Sequence, residues 1–182
     1  CYHFEKAKTI VSFDADFLGT WIDPIEFTKG YSKGRKLDPK KKEMSRHYQF
    51  EANMSLTGAN ADYRTPVKPS QMGPAVVALY NAVAAATGNA TVSGGAEIAN
   101  IKKAAADLVK TKGKSLVVSG SNDPAVQTLI AGINNMLGNY GSTLGFGRTS
   151  NLKKGNEATF NQFVKDAAAG NVGAVVFLNA NP

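Results

Sequence analysis

A single cysteine, Cys1, excludes an internal disulfide and any thiolate cluster built by this chain alone. Two histidines, His3 and His47, are too few for a His-rich metal site. Long apolar runs are missing as well. VVALYNAVAAA is interrupted and too short to span a bilayer, and no segment reads as a signal peptide. No G-x-G-x-x-G follows a strand, and no G-x-x-x-x-G-K-[ST] occurs anywhere. Neither histidine falls in a strand-end loop, so no Ser-His-Asp arrangement is suggested. No internal repeat of fixed period is present.

What remains is an ordinary globular composition, 43% hydrophobic and 19% charged over 182 residues, enough to bury a real core. The net charge is +7, and much of the excess sits in Arg35–Arg46, RKLDPKKKEMSR. A polar stretch containing proline reads as a solvated loop or a partner contact, and no nucleic-acid binding is expected from it. The chain opens without an initiator methionine and ends just after a strand-like run. It reads as a piece of a longer polypeptide, whose targeting signals would lie outside it.

Strand and helix signals alternate. Thr9–Phe13 is a short apolar run of the kind buried in parallel sheets. Asp23-Pro24 opens a helix toward Gly30–Gly34. Strands are expected at His47–Glu51 and Ala61–Lys68, then an Ala-rich helix over Gly73–Ala86 stopped by Gly88. Thr87–Gly95 reads as a loop, and its Asn89-Ala90-Thr91 sequon is too short a signal to carry weight. A helix over Ala96–Lys112, a strand over Ser115–Ser119 and a helix over Ala125–Leu137 follow. A final helix, Thr159–Ala169, leads to a strand at Ala174–Leu178. The alternation predicts an α/β fold with Rossmann-like layers and a mostly parallel sheet. Two parts are expected, 1–90 as a first lobe and 91–182 as a second packed with it.

In such folds ligands sit beyond the carboxyl ends of the strands. Asp14 and Asp16 alternate at the first such end, where paired carboxylates hold Mg²⁺ or supply a nucleophile and an acid. The pattern resembles the opening motif of haloacid-dehalogenase-type phosphatases. Leu18 stands where those enzymes carry Thr or Val, and Asn179-Ala180-Asn181 supplies no later acidic pair. Gly120-Ser121-Asn122-Asp123 either offers backbone N–H groups to an anion or simply starts a helix. Gly138, Gly141, Gly145 and Gly147 fit a helix stop and tight turn better than a phosphate cradle.

Several stretches together carry a family resemblance: IVSFDADFLGTW, EFTKGY, MSRHYQFEANMSLTGANADYRTPVKPS and INNMLGNYGSTLGF. They resemble the iron–sulfur subunit of bacterial alternative complex III, itself similar to a molybdopterin oxidoreductase fused to ferredoxin-like domains. The resemblance runs nearly end to end and implies the middle-domain type of the molybdopterin oxidoreductase fold. Cofactor-bearing relatives carry Asp-Pro-Arg where this chain has Glu51-Ala52-Asn53, and Pro-Gly-Thr-Asp where it has Pro69-Ser70-Gln71-Met72. An Asp at position 72 would pair with guanine N–H groups, and a thioether cannot.

Glu51, Asn53, Ser70 and Met72 are therefore read as positions of a degenerate pterin site. The resemblance implies a membrane-attached, quinol-oxidising respiratory complex on the periplasmic side of the bacterial envelope, with iron–sulfur clusters elsewhere in the parent chain. This part would act as a scaffold, holding no cofactor or metal and making no membrane insertion of its own. Its partners would be other subunits and the cluster-bearing part of the same chain. Asp14, Asp16, Trp21, Glu51 and Arg64 are candidate contact residues, or simply residues that close strand-end loops. Retained pterin or nucleotide binding, with a crevice open near Glu51, Ser70 and Gly120, and a Mg-dependent phosphatase at Asp14 and Asp16 are the alternatives.

Overall fold

Short runs rich in β-branched and aromatic residues form the strands β1 (Thr9–Phe13), β2 (Arg46–Glu51), β3 (Tyr63–Pro66) and β4 (Ser115–Ser119). They make one four-stranded sheet in the order β3-β2-β1-β4, and every neighbouring pair is parallel. The computed structural model describes residues 1–37, 39–40, 42–147 and 155–179. It divides into the compact units Cys1–Ser150 and Asn151–Pro182. β4 lies beyond residue 90 yet pairs with β1, so the sheet draws on both expected parts within Cys1–Ser150.

The helices are α1 (Pro24–Arg35), α2 (Leu56–Ala59), α3 (Met72–Thr87), α4 (Ile101–Lys110), α5 (Pro124–Met136) and α6 (Glu157–Ala168). Asp23 and Asp123 cap α1 and α5 through their carboxylates, each followed by a proline in the first turn. One face of the sheet sends Ile10, Leu116 and Val118 into a cluster with Phe4, Phe17, Phe27 and Tyr31. The opposite face sends Val11, Phe13, Tyr48, Phe50 and Val117 against α3, α4 and α5. The result is the three-layer α/β arrangement that the alternation implied.

Two expectations are corrected, over Ala96–Lys112 and over Ala174–Leu178. The Ala96–Lys112 helix begins only at Ile101, because Asn100 takes a left-handed φ of 66° that no helix interior accepts. The turn after β2 holds α2, capped by the Ser55 side chain onto Gly58 N. Ala174–Leu178 forms no strand among the described residues, and Val176 and Leu178 are 89% and 83% exposed. An apolar run becomes a strand only where a ladder partner takes its backbone groups. Within Asn151–Pro182, α6 is capped by Asn156 and brings Phe160 and Phe163 to 6.2 Å between ring centroids. Its helix buries no residue.

Among the described residues no helix is long and apolar enough to cross a membrane. The basic stretch is pinned at both ends. Arg35 forks onto Asp62 at 2.7 and 2.9 Å, and Arg46 donates to Asp107 at 2.9 Å. The loop Thr87–Gly95 is tethered as well, since the Asn81 amide bonds both N–H and C=O of Val92.

Candidate functional site at the carboxyl edge

The chain winds outward from β1 to β2 and β3, then returns to place β4 on the other side of β1. The crevice between the β1 and β4 ends is thus the switch point where an open α/β sheet would seat a ligand. Here it is occupied by the chain itself. A Cβ on Gly120 would lie 2.5 Å from the Asp14 carbonyl oxygen, so only glycine allows that approach. Asp14 has a φ of 50°, and its Oδ1 accepts from Ala52 N at 3.1 Å. Burial pushes the Asp14 carboxyl up, the Ala52 N–H bond opposes this, and the Glu51 charge adds to the rise.

Asp16 is committed to the β2–β3 connection. Its Oδ1 accepts from Thr57 N at 3.1 Å and Thr57 Oγ1 at 2.7 Å, and its Oδ2 from Thr20 Oγ1 at 3.2 Å. Thr57 Oγ1 in turn accepts from Leu18 N at 2.9 Å. The two aspartates thus tie the β1 loop to the segment after β2, each through different groups. Among the described residues no three His, Cys, Asp or Glu side chains gather as a metal site. Trp21 packs on Tyr2 and Phe27, with ring centroids at 5.0 and 5.6 Å.

Glu51 is 1% exposed and surrounded by donors. Arg64 Nε reaches Oε1 at 2.5 Å, Ser55 Oγ reaches Oε2 at 2.6 Å, and Ser55 N and Gln49 Nε2 complete the set at 3.2 Å each. Burial alone would raise the Glu51 carboxyl, but the Ser55 and Arg64 bonds outweigh it and hold the group below the usual range. Gly58 sits so close that a Cβ there would overlap Glu51 Oε1. Of the other degenerate positions, Asn53 and Ser70 are exposed, while Met72 is buried in the core under α3. Met72 packs in that core as the first residue of α3.

Glu51 ends a buried polar column along one face of β2. The Glu51 carboxylate fixes the Gln49 amide with its Nε2 toward Glu51, which turns Gln49 Oε1 toward His47 Nε2 at 3.3 Å. That arrangement assigns the proton of neutral His47 to Nε2 and leaves Nδ1 facing the Tyr31 hydroxyl at 3.2 Å. Burial lowers the His47 pKa to about 4 and raises that of Tyr31 to about 12. An unfolded histidine titrates near 6.5, so the unfolded chain binds this proton more readily. Stability then falls as pH drops from about 6.5 to about 4, by about 3 kcal/mol in all. Urea unfolding of wild type and His47→Gln across pH 4–7.5 should show this slope in the first chain and lose it in the second.

The sequence pointed to Asp14, Asp16 and Glu51, and the fold brings all three to one edge. It did not single out Thr57, Ser55 or Gly58, although Ser55 preceding Leu-Thr-Gly is a helix-cap signal. The anion cradle at 120–123 is self-occupied. Ser119 Oγ takes Ser121 N, Ser121 Oγ takes Asp123 N, and Asp123 Oδ1 takes Ala125 N. Comparison with protein-family models and with curated proteins gives no match for the chain.

Proposed function

We propose that this chain is a molybdopterin-oxidoreductase-like scaffold without a pterin cofactor, one part of an electron-transfer subunit. It orients iron–sulfur domains carried elsewhere in a longer parent chain and docks on neighbouring subunits of a respiratory quinol-oxidising complex at the bacterial envelope. The observation that carries this reading is the commitment of Asp14, Asp16 and Glu51 to internal donors at the edge where a cofactor would lie. Charge supports it too. Asp14, Asp16, Glu51 and Asp123 all fall at or just beyond strand ends, against Arg64 and Lys68. A dianionic dinucleotide approaching that edge meets repulsion, and the Arg64 guanidinium is already spent on Glu51.

Metal analysis of the purified chain and calorimetric titration with GDP and Mg²⁺ test the reading. No stoichiometric metal and no saturable heat are expected. Tight stoichiometric nucleotide binding would overturn the scaffold role in favour of a retained nucleotide site. Bound Mg²⁺ with phosphoester hydrolysis lost in Asp14→Asn would instead establish the phosphatase.

A further inference from the structure

A second opening lies at the opposite end of the sheet, beyond the amino ends of β1, β2 and β4. It is a cleft of about 720 Å³, within the range of ligand and side-chain pockets. Among the described residues five basic and three acidic side chains line it. The acids are already engaged. Glu5 bonds His3 at 3.1 Å, Glu43 bonds Lys8 at 3.2 Å, and Asp107 receives Arg46 at 2.9 Å and the Tyr48 hydroxyl at 2.6 Å. Among the described residues Lys6 and Lys114 have no carboxylate partner, and Lys110 holds Asp107 only at 3.8 Å.

Helix dipoles explain part of this positive edge. The carboxyl ends of α1 and α4 point here, and Arg35 and Lys110 stand in their last turns. Lys8 and Lys114 lie outside any helix, and Lys6 sits in a single 3-10 turn, so the dipole account leaves them without a role. A second observation is independent of charge. Ser45 lines the same cleft, and its Oγ is buried without a hydrogen-bond partner among the described residues. Met44 adds a half-exposed thioether, an apolar and adaptable contact.

We infer that this amino-edge cleft docks an acidic protein segment, with Lys6, Lys110 and Lys114 taking its carboxylates and Met44 an apolar side chain. Among the described residues no aromatic ring lines the cleft for base stacking, and the interleaved Glu5 and Glu43 would repel a continuous phosphate backbone. A peptide can place its carboxylates between them. Docking here presupposes the scaffold role only in making the occupant a protein. The two fail separately, because nucleotide binding at the carboxyl edge would remove the scaffold role while leaving this cleft untouched.

The test is fluorescence anisotropy on the whole chain with a short fluorescein-labelled peptide that alternates glutamate with leucine. Saturable binding that weakens with added salt is expected, and a Lys6→Glu/Lys114→Glu double variant should bind about tenfold more weakly. Lys165→Glu, in the other unit, should leave binding unchanged. If the double reversal disturbs the circular dichroism spectrum, Lys6→Gln/Lys114→Gln carries the comparison. Absence of saturable binding at low salt would overturn the inference. So would equal loss in Lys165→Glu, unchanged binding in the double variant, or a DNA oligonucleotide of matched charge competing as well as the peptide.

Discussion

Arg64→Met should lower the unfolding free energy by about 3 kcal/mol, the low end of what removing one partner of a buried ion pair costs. The reason is positional. Glu51 is buried with its carboxylate pinned by Arg64, Ser55 and Gln49, and methionine fills the arginine's stem volume without its donors. Ser55 and Gln49 still bond the carboxylate, which keeps the loss from the upper end of the range. Without Arg64 the Glu51 carboxyl titrates higher, so the folded variant takes up that proton more readily and should lose less stability than wild type on acidification. Restoring neutrality with Arg64→Met/Glu51→Gln should recover most of the loss, because the buried charge then has no need of a partner. Urea unfolding of the single and double variants at pH 7 measures both effects. An Arg64→Met chain as stable as wild type would mean that Glu51 does not depend on this bond.

Asn134→Leu should cost about as much, about 3 kcal/mol, and should make the chain associate. β4 is an edge strand, and its outward backbone groups are covered by side chains instead of by a fifth strand. Asn134 Oδ1 accepts from Val117 N at 3.1 Å while its Nδ2 donates to Val117 O at 2.7 Å, as a neighbouring strand would. Thr143 Oγ1 covers Ser115 O at 2.5 Å and Gln127 Nε2 covers Ser119 O at 3.1 Å. Leucine at 134 is sterically mild but leaves both Val117 groups buried without partners, and it opens the edge to strand addition. Asn134→Asp keeps the acceptor but sets a buried carboxylate against the Val117 and Ile130 carbonyls, so it should cost at least as much. Sedimentation velocity at increasing concentration, with urea unfolding, separates association from destabilisation. A monomeric Asn134→Leu chain of wild-type stability would contradict the edge assignment.

The same residues show how far the sequence is legible. TIVSF, HYQFE and SLVVS are short runs with strand character throughout, and Asp-Pro pairs mark the starts of α1 and α5. Local chemistry decides such elements, so they can be read directly. Ala174–Leu178 has the same local character and forms no strand, because pairing is a property of a neighbour. The column of His47, Gln49 and Glu51 alternates with Tyr48 and Phe50 as a half-solvated strand would, yet both faces are buried. Only the placement of Tyr31, Arg64 and Ser55, distant in sequence, shows that the polar face is covered. Asn134 reads as an ordinary polar helix residue until β4 is laid beside it. At the carboxyl edge, residue types identified Asp14, Asp16 and Glu51. Their commitments to Ala52, Thr57 and Ser55 depend on backbone geometry that spacing does not reveal.

The scaffold role requires that the carboxyl edge be closed by the chain's own groups. Titrating the ¹⁵N-labelled chain with GDP and Mg²⁺ while following backbone amide resonances examines that edge residue by residue. The amides of Asp14, Ala52, Thr57, Ser70 and Gly120 should stay where they are as the nucleotide is added. Saturable shifts concentrated on those amides would contradict it and restore a ligand site at the switch point.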